Sequence, residues 1–388
     1  MQDSADICRD GAITPDTGAV ARFVDRIFVD LPRSDQRARA REYMTGLLAT
    51  PGKKSLRRMA AVVSSSPRTS QALQQFLNDS PWDWRPVRRA LAYWVAERAA
   101  VSSWTVAVAE LPKRGSHSVG VHQRYSDEAH RTVNCQLGVG LFLDGEGVAL
   151  PIDWRLVLPG RWRTDQGLRE SARIPDEHEP PSAEDCVRDF LRTAREPGGG
   201  YRPPFVTDLT GTPRGGRLLG LLSESGEGFV ARVPESAVVF PAGGSERPVT
   251  VGQLVRRASF PGPAADLAAP PAPGRHQVRA CTVRLRPDGQ LHRLVLGYPE
   301  QLKQAPYAVV ADLVNEKPAE ILRLAGAPAR ARLALRSMRR DGGLRDFEGR
   351  SYPGWHHHMT LVSAAHAFHL LGGVAPARRP APELMRVA

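Results

Sequence analysis

Few residues in this chain combine type and spacing in a way that suggests chemistry. The stretch "GWHHHMTLVSAAHAFH", residues 354 to 369, holds five of the eleven histidines: His356, His357, His358, His366 and His369. On a helix, His358, His366 and His369 fall near one face, a spacing that can bind a metal ion or supply a general base, whereas histidines on a closing helix also serve as packing. The stretch "PPFVTDLT" reads as a strand ending on the carboxylate of Asp208. "PIDWRLVLPGRW" sets Asp153 and Arg155 among Trp154 and Trp162, rings that can stack on bases or fill a core. Cys135, in "VNCQLGVG", is a thiol on an apolar strand, where an inert side chain is the expectation. Two basic loops, "LPKRG" with Lys113 and Arg114 and "RGGR" with Arg214 and Arg217, have the donors to contact phosphate.

The elements that must position these groups follow from periodicity. Over residues 19 to 99, "AVARFVDRIFVDL", "SDQRARAREYMTGLLAT", "KKSLRRMAAVVSS", "TSQALQQFLNDS" and "RPVRRALAYWVAERAA" space apolar residues three to four apart and predict helices. Asp83 can cap the last of them, with Pro86 in its first turn. From residue 101 the pattern changes to short valine- and leucine-rich runs broken by glycine and proline: "SWTVAVAEL", "SHSVGVHQRY", "TVNCQLGVGLFLDG" and "GVALPIDWRLVLP" predict strands. A helix over "SAEDCVRDFLRTARE" separates these from the strand that ends at Asp208, an order that implies a mixed α/β sheet. Further strands are predicted over "GFVARVP", "SAVVFPA", "HQVRACTVRLR" and "LHRLVLGYP", around a proline-alanine run at 260–274 that cannot hold a central strand. "PAEILRLAGAPARARLALRSMRRDGGL" and "HHHMTLVSAAHAFHLLGG" predict helices, and the last fifteen residues a loose tail.

The formal net charge is +12, and the basic residues are mostly arginine, whose planar fork suits phosphate; nucleic acid is the simplest anionic partner, although a GC-rich genome gives the same arginine bias. Cys8, Cys135, Cys186 and Cys281 stand far apart, which predicts neither disulfides nor a cysteine zinc site. The opening "MQDSADICRDG" is acidic, and no stretch approaches the roughly 18 apolar residues of a membrane span. A cytoplasmic protein without membrane contact is expected.

Seven pieces resemble, in order, the insertion-sequence 701 family of transposases, a group with a ribonuclease H-like DDE fold. They are "REYMTGLLATPGKKS", "LQQFLNDSPWDW", "LPKRGSHSVGVHQRY", "NCQLGVGLFLD", "PIDWRLVLPGRWRTD", "ARIP" and "GLRDFEGRSYPGWHHHMTLVSAAHAF", spread over nearly the whole chain. The resemblance implies a helical DNA-binding-like domain over 1–100, a ribonuclease H-like core over 101–220, a β-rich insertion over 221–310, the C-terminal helices of the core over 311–372 and a tail over 373–388. It also implies a chemistry in which three carboxylates bind two magnesium ions that activate water or a 3′ hydroxyl and stabilise the leaving oxygen of a phosphodiester.

This sequence departs from the family's pattern at the acids themselves. The family's first aspartate is matched by Ala107 or Val108, and the third acid should fall near Arg332 or Leu333. Asp208 matches the second, although "LTGTPRGG" after it differs from the family. Glu110, two residues past Val108, is a candidate displaced ligand, and Glu348 matches a family glutamate outside the catalytic set; His357 and His358 are further acid-base candidates. One carboxylate cannot hold two magnesium ions. The expectation is therefore a transposase-derived protein that binds DNA without strand transfer, with no cofactor, magnesium only if residual nuclease activity survives, and a homodimer as the form of active relatives. Two alternatives remain open at this point: an enzyme acting on a small molecule in the old cleft, and an active transposase with a relocated acid.

Overall fold

A computed structural model describes residues 16–126, 128–145, 147–176, 182–194, 203–212, 215–242, 247–256, 277–298 and 307–375. Five helices come first: α1 (Thr17–Ile27), α2 (Ser34–Ala49), α3 (Leu56–Val63), α4 (Thr69–Asn78) and α5 (Trp84–Ala96). Each turns an apolar stripe inward, such as Val20, Phe23, Val24 and Ile27 of α1. Asp83 caps α5 by accepting a hydrogen bond from the Arg85 amide, as its position in the sequence implied.

Four strands follow, β1 (Val101–Pro112), β2 (His122–Ser126), β3 (Arg131–Gly145) and β4 (Val148–Leu156), then helices α6 (Arg161–Thr164), α7 (Gln166–Ala172) and α8 (Ala183–Ala194). Next come β5 (Phe205–Asp208), α9 (Gly215–Ser225), β6 (Phe229–Val233), β7 (Val238–Pro241), β8 (Val249–Thr250) and α10 (Val251–Arg256). The chain continues through β9 (Gln277–Arg284), β10 (Leu291–Tyr298), β11 (Tyr307–Ala311), α11 (Pro318–Leu324), α12 (Ala327–Arg340) and α13 (Tyr352–Leu371). The fold is thus mixed α/β.

One sheet runs β2-β3-β1-β5-β6-β11-β10-β9-β7-β8, with β4 also paired to β3. From β4 to β1 the strands are antiparallel, and β1, β5 and β6 are parallel to one another. Beyond β6 the sheet grows by antiparallel neighbours alone. The parallel part reaches residue 233. The sheet is covered on both faces. Trp104 and Phe205 face Phe190 and Leu191 of α8 on one side; on the other, Val206 and Val230 pack with Ile321 and Leu324 of α11 and Ala327 of α12.

Several sequence expectations change in detail. "SHSVGVHQRY" is a strand only from His122, because Gly120 turns at φ 74° and the preceding backbone bonds elsewhere, the Val119 amide donating to the Arg350 carbonyl. The long helix expected from Pro318 divides into α11 and α12 at Ala325 and Gly326. Helices α6, α7, α9 and α10 were not anticipated. The proline-alanine run at 260–274 and residues 376–388 lie outside the described residues.

Candidate functional site: the end of strand β5

The family's acids, if present, would meet where β1 and β5 pass under α12. Thr105 pairs with Val206 in the parallel ladder, so two residues on, by strand alternation, Ala107 and Asp208 share the face toward α12. Asp208 is paired in register with Arg232 of β6, which places that arginine on the same face. A side chain of α12 completes the group: Arg332 Nη1 lies 3.6 Å from Asp208 Oδ2. The other oxygen, Oδ1, accepts from the Thr210 amide at 3.1 Å and the Thr210 hydroxyl at 2.6 Å. Asp208 is 17% exposed and Arg332 50%. The position assigned to a third acid thus carries a guanidinium aimed at the second, and the position of the first carries the methyl group of Ala107.

Leu333, the neighbouring position considered for that acid, points to solvent at 58% exposure. Helix α12 turns Ala327, Ala331, Leu335 and Met338 inward, leaving Arg332 at the edge of its buried stripe and Arg336 one turn beyond, exposed.

These residues do not fit a pair of magnesium ions. Each such cation needs several oxygen ligands, and the guanidinium beside Asp208 opposes any divalent charge placed there. Among the described residues, no group of three or more His, Cys, Asp and Glu could hold a metal ion.

Glu110 is not a displaced partner of Asp208. It alternates with Val108 on the α8 face of the sheet, where its carboxylate accepts from the Ser126 hydroxyl at 2.7 Å and lies 3.5 Å from Arg124. Glu348 lies on the segment before α13, 3.2 Å from Lys53. It lines a cavity of about 550 Å³ between α2, α4, the end of α7 and residues 346–351, to which Asp208 does not contribute. Lys54, Arg173 and Arg350 face Asp79, Asp346 and Glu348 around that cavity, so its charges balance within its own walls.

The histidines are spent on structure. His357 stacks on Trp82 with ring centroids 3.9 Å apart, and both its ring nitrogens lie 2.8 Å from backbone carbonyls, those of Leu77 and Trp82. The two carbonyls favour the charged ring, but burial outweighs them and pulls its pKa down to about 4. His358 sits between the Tyr43 hydroxyl and the Gly343 carbonyl, and burial takes it down to about 3. His356 stacks on Trp84 beside Arg88, and burial with that neighbouring charge holds it well below its ordinary value. His366 is buried on the same helix, whereas His369 is exposed, so the three do not form one open face.

The basic loops divide. The Lys113 ammonium donates to the Phe347 carbonyl at 2.6 Å and lies over the Phe347 ring, and burial lowers its pKa to about 8. Arg114 and Arg217 are exposed, and Arg214 lies outside the described residues. Trp154 and Trp162 are fully buried and unavailable for stacking on a base, with their ring N–H groups donating to Ser363 and to the Val121 carbonyl. Burial pushes the Cys135 thiol up, in keeping with inertness. Arg232 was missed in the sequence. Its signal was an arginine inside the apolar run "GFVARVP", which acquires meaning only once β6 is known to lie beside β5.

The chain matches the family model of the DDE superfamily endonucleases over residues 26–290. It belongs to that family. Among solved structures it is similar to the piggyBac transposase in a synaptic complex with hairpin DNA, at 12% identity, covering 92% of this chain and 72% of that one with a TM-score of 0.43. No curated protein matches it in sequence.

Proposed function

We propose that this protein is a transposase-derived DNA binder of the insertion-sequence 701 type, with a ribonuclease H-like core, that has lost strand transfer. The observation that carries this reading is the Arg332–Asp208 pair. A DDE centre works by gathering carboxylates around divalent cations, and here the one acid that falls in place is neutralised by a guanidinium while Ala107 offers no ligand. Membership of the DDE endonucleases supplies the ancestry, and the +12 charge with its arginine excess supplies the affinity for duplex DNA that remains after the chemistry is gone.

Recruitment of the cleft to a small molecule is less well supported. The 550 Å³ cavity lies away from Asp208, and neither Asp208, Glu110 nor a histidine lines it.

A titration of the purified protein with random-sequence duplex DNA across a salt series tests the binding half of this reading. Affinity that falls steeply with salt is expected, since each phosphate contact releases counterions. An absence of binding at moderate salt contradicts it.

A further inference from the structure

We infer that the altered acid face is itself a phosphodiester site that works without metal, with the guanidinium groups of Arg232, Arg332 and Arg336 supplying the positive charge that bound cations would otherwise bring. This rests on the DNA-binding function proposed above and assigns a place to it.

The charge inventory of the face is inverted. Where three carboxylates would stand, one remains, with Arg332 against it, Arg232 on the neighbouring strand of the same face and Arg336 one turn along α12. Arg232 shares the face of Asp208 by register, yet has no carboxylate within 4 Å among the described residues. Its guanidinium lies over the Tyr307 ring, 5.2 Å from the centroid, and its buried Nε finds no hydrogen-bond partner. Arg332 meets Asp208 at 3.6 Å, beyond hydrogen-bond length, so its five N–H donors are not consumed by that pair. Arg336 is exposed one turn along α12 and forms no ion pair among the described residues.

A face with spare donors and surplus positive charge recruits an anion. Guanidinium forks match the paired non-bridging oxygens of a phosphodiester. Asp208 orients Arg332 and limits the affinity of the face.

The test uses the full chain, a short random-sequence duplex and EDTA throughout. Binding is expected to persist in the chelator. Arg332→Ala and Arg336→Ala should each lower the slope of log affinity against log salt by about 1, the signature of one lost phosphate contact. Arg232→Gln tests the third donor while keeping a side chain of some length over Tyr307. Arg192→Ala, on α8 at the opposite face, serves as the control for net charge and should leave the slope unaltered. Asp208→Asn should strengthen binding several-fold at low salt, which no merely structural role produces.

If the wild type binds but neither α12 variant changes the slope, or Asp208→Asn weakens binding, the assignment of this face is overturned while the DNA-binding function stands. If the wild type does not bind at all, both fail. Inorganic phosphate that competes no better than its ionic strength predicts supports a polymer ligand; saturable competition would point to a free phosphate site instead.

Discussion

Two clusters of charge in this molecule, one at the root of α5 and one at the end of β5, are built on opposite terms. At the first, the Arg88 guanidinium is buried and completely committed. It donates to Asp153 at 2.7 Å, to the Thr360 hydroxyl at 2.7 Å and to the carbonyls of Trp154 and His356 at 3.0 Å, tying α5, β4 and α13 together. Asp153 in turn meets Arg155, which continues to Asp189 of α8. At the second, Asp208 meets one half-exposed arginine at 3.6 Å, and the exposed Arg336 follows one turn along α12. A buried charge survives only when its whole donor set is satisfied, whereas a half-exposed one can keep donors in reserve for a ligand. The first cluster is architecture, and the second is surface with capacity left.

The largest expected effect breaks the first cluster. Arg88→Met leaves Asp153 with Arg155 alone and removes the buried donor that serves the Thr360 hydroxyl and the carbonyls of Trp154 and His356, and should cost about 3–5 kcal/mol in urea unfolding. A loss below about 1 kcal/mol would mean that Arg155 and water satisfy the acceptors Arg88 leaves, and the contrast between the clusters would weaken.

Next in size is the response to pH. His356, His357, His358 and His366 all have folded pKa values below the ordinary 6.5, to about 4 for His357 and His366 and about 3 for His358. Below pH 6.5 the unfolded chain takes up protons that the folded chain refuses. The stability these rings supply is therefore complete above pH 6.5 and is lost progressively as pH falls toward 4 and below, by up to about 1.4 kcal/mol per pH unit for each ring. Urea midpoints at pH 7.5 and 5.5 measure it, and His366→Leu should flatten the dependence by about one proton.

Packing beside the first cluster gives a smaller effect. A Cβ at Gly140 would lie 2.8 Å from the Phe142 ring and 2.9 Å from the Trp154 ring, so Gly140→Val should destabilise by about 1–3 kcal/mol. The smallest effect belongs to the second cluster: Asp208→Asn should shift stability by no more than about 1 kcal/mol, because the pair it breaks is half-exposed. A loss as large as that of Arg88→Met would make Asp208 a structural residue and remove the contrast.

The same two regions show how much was legible in the sequence. Helix periodicity revealed α1 to α5, and the Asp83 cap was local chemistry. The apolar run put Asp208 at a strand end, and the resemblance to the transposase family placed an absent acid near Arg332 or Leu333; the side chains of Asp208 and Arg332 lie 3.6 Å apart. The face of Glu110 was not legible because alternation relates it to Val108, and which of Ala107 and Val108 faces Asp208 depends on the β1–β5 register, a long-range fact. His357 looked reactive because its partners, the carbonyls of Leu77 and Trp82, lie some 275 positions earlier in the chain, and α13 is buried over most of its length with no amphipathic pattern to reveal it. Arg232 stayed hidden for the same reason as Glu110: its neighbour across the sheet is set by pairing, not by sequence proximity.

The central claim is that the carboxylate set is broken, and the most direct measurement is magnesium-dependent nicking of supercoiled DNA by the wild type with Asp208→Ala as its control. No nicking above background by either protein is the predicted result. Nicking by the wild type that requires magnesium and disappears in Asp208→Ala would contradict the account.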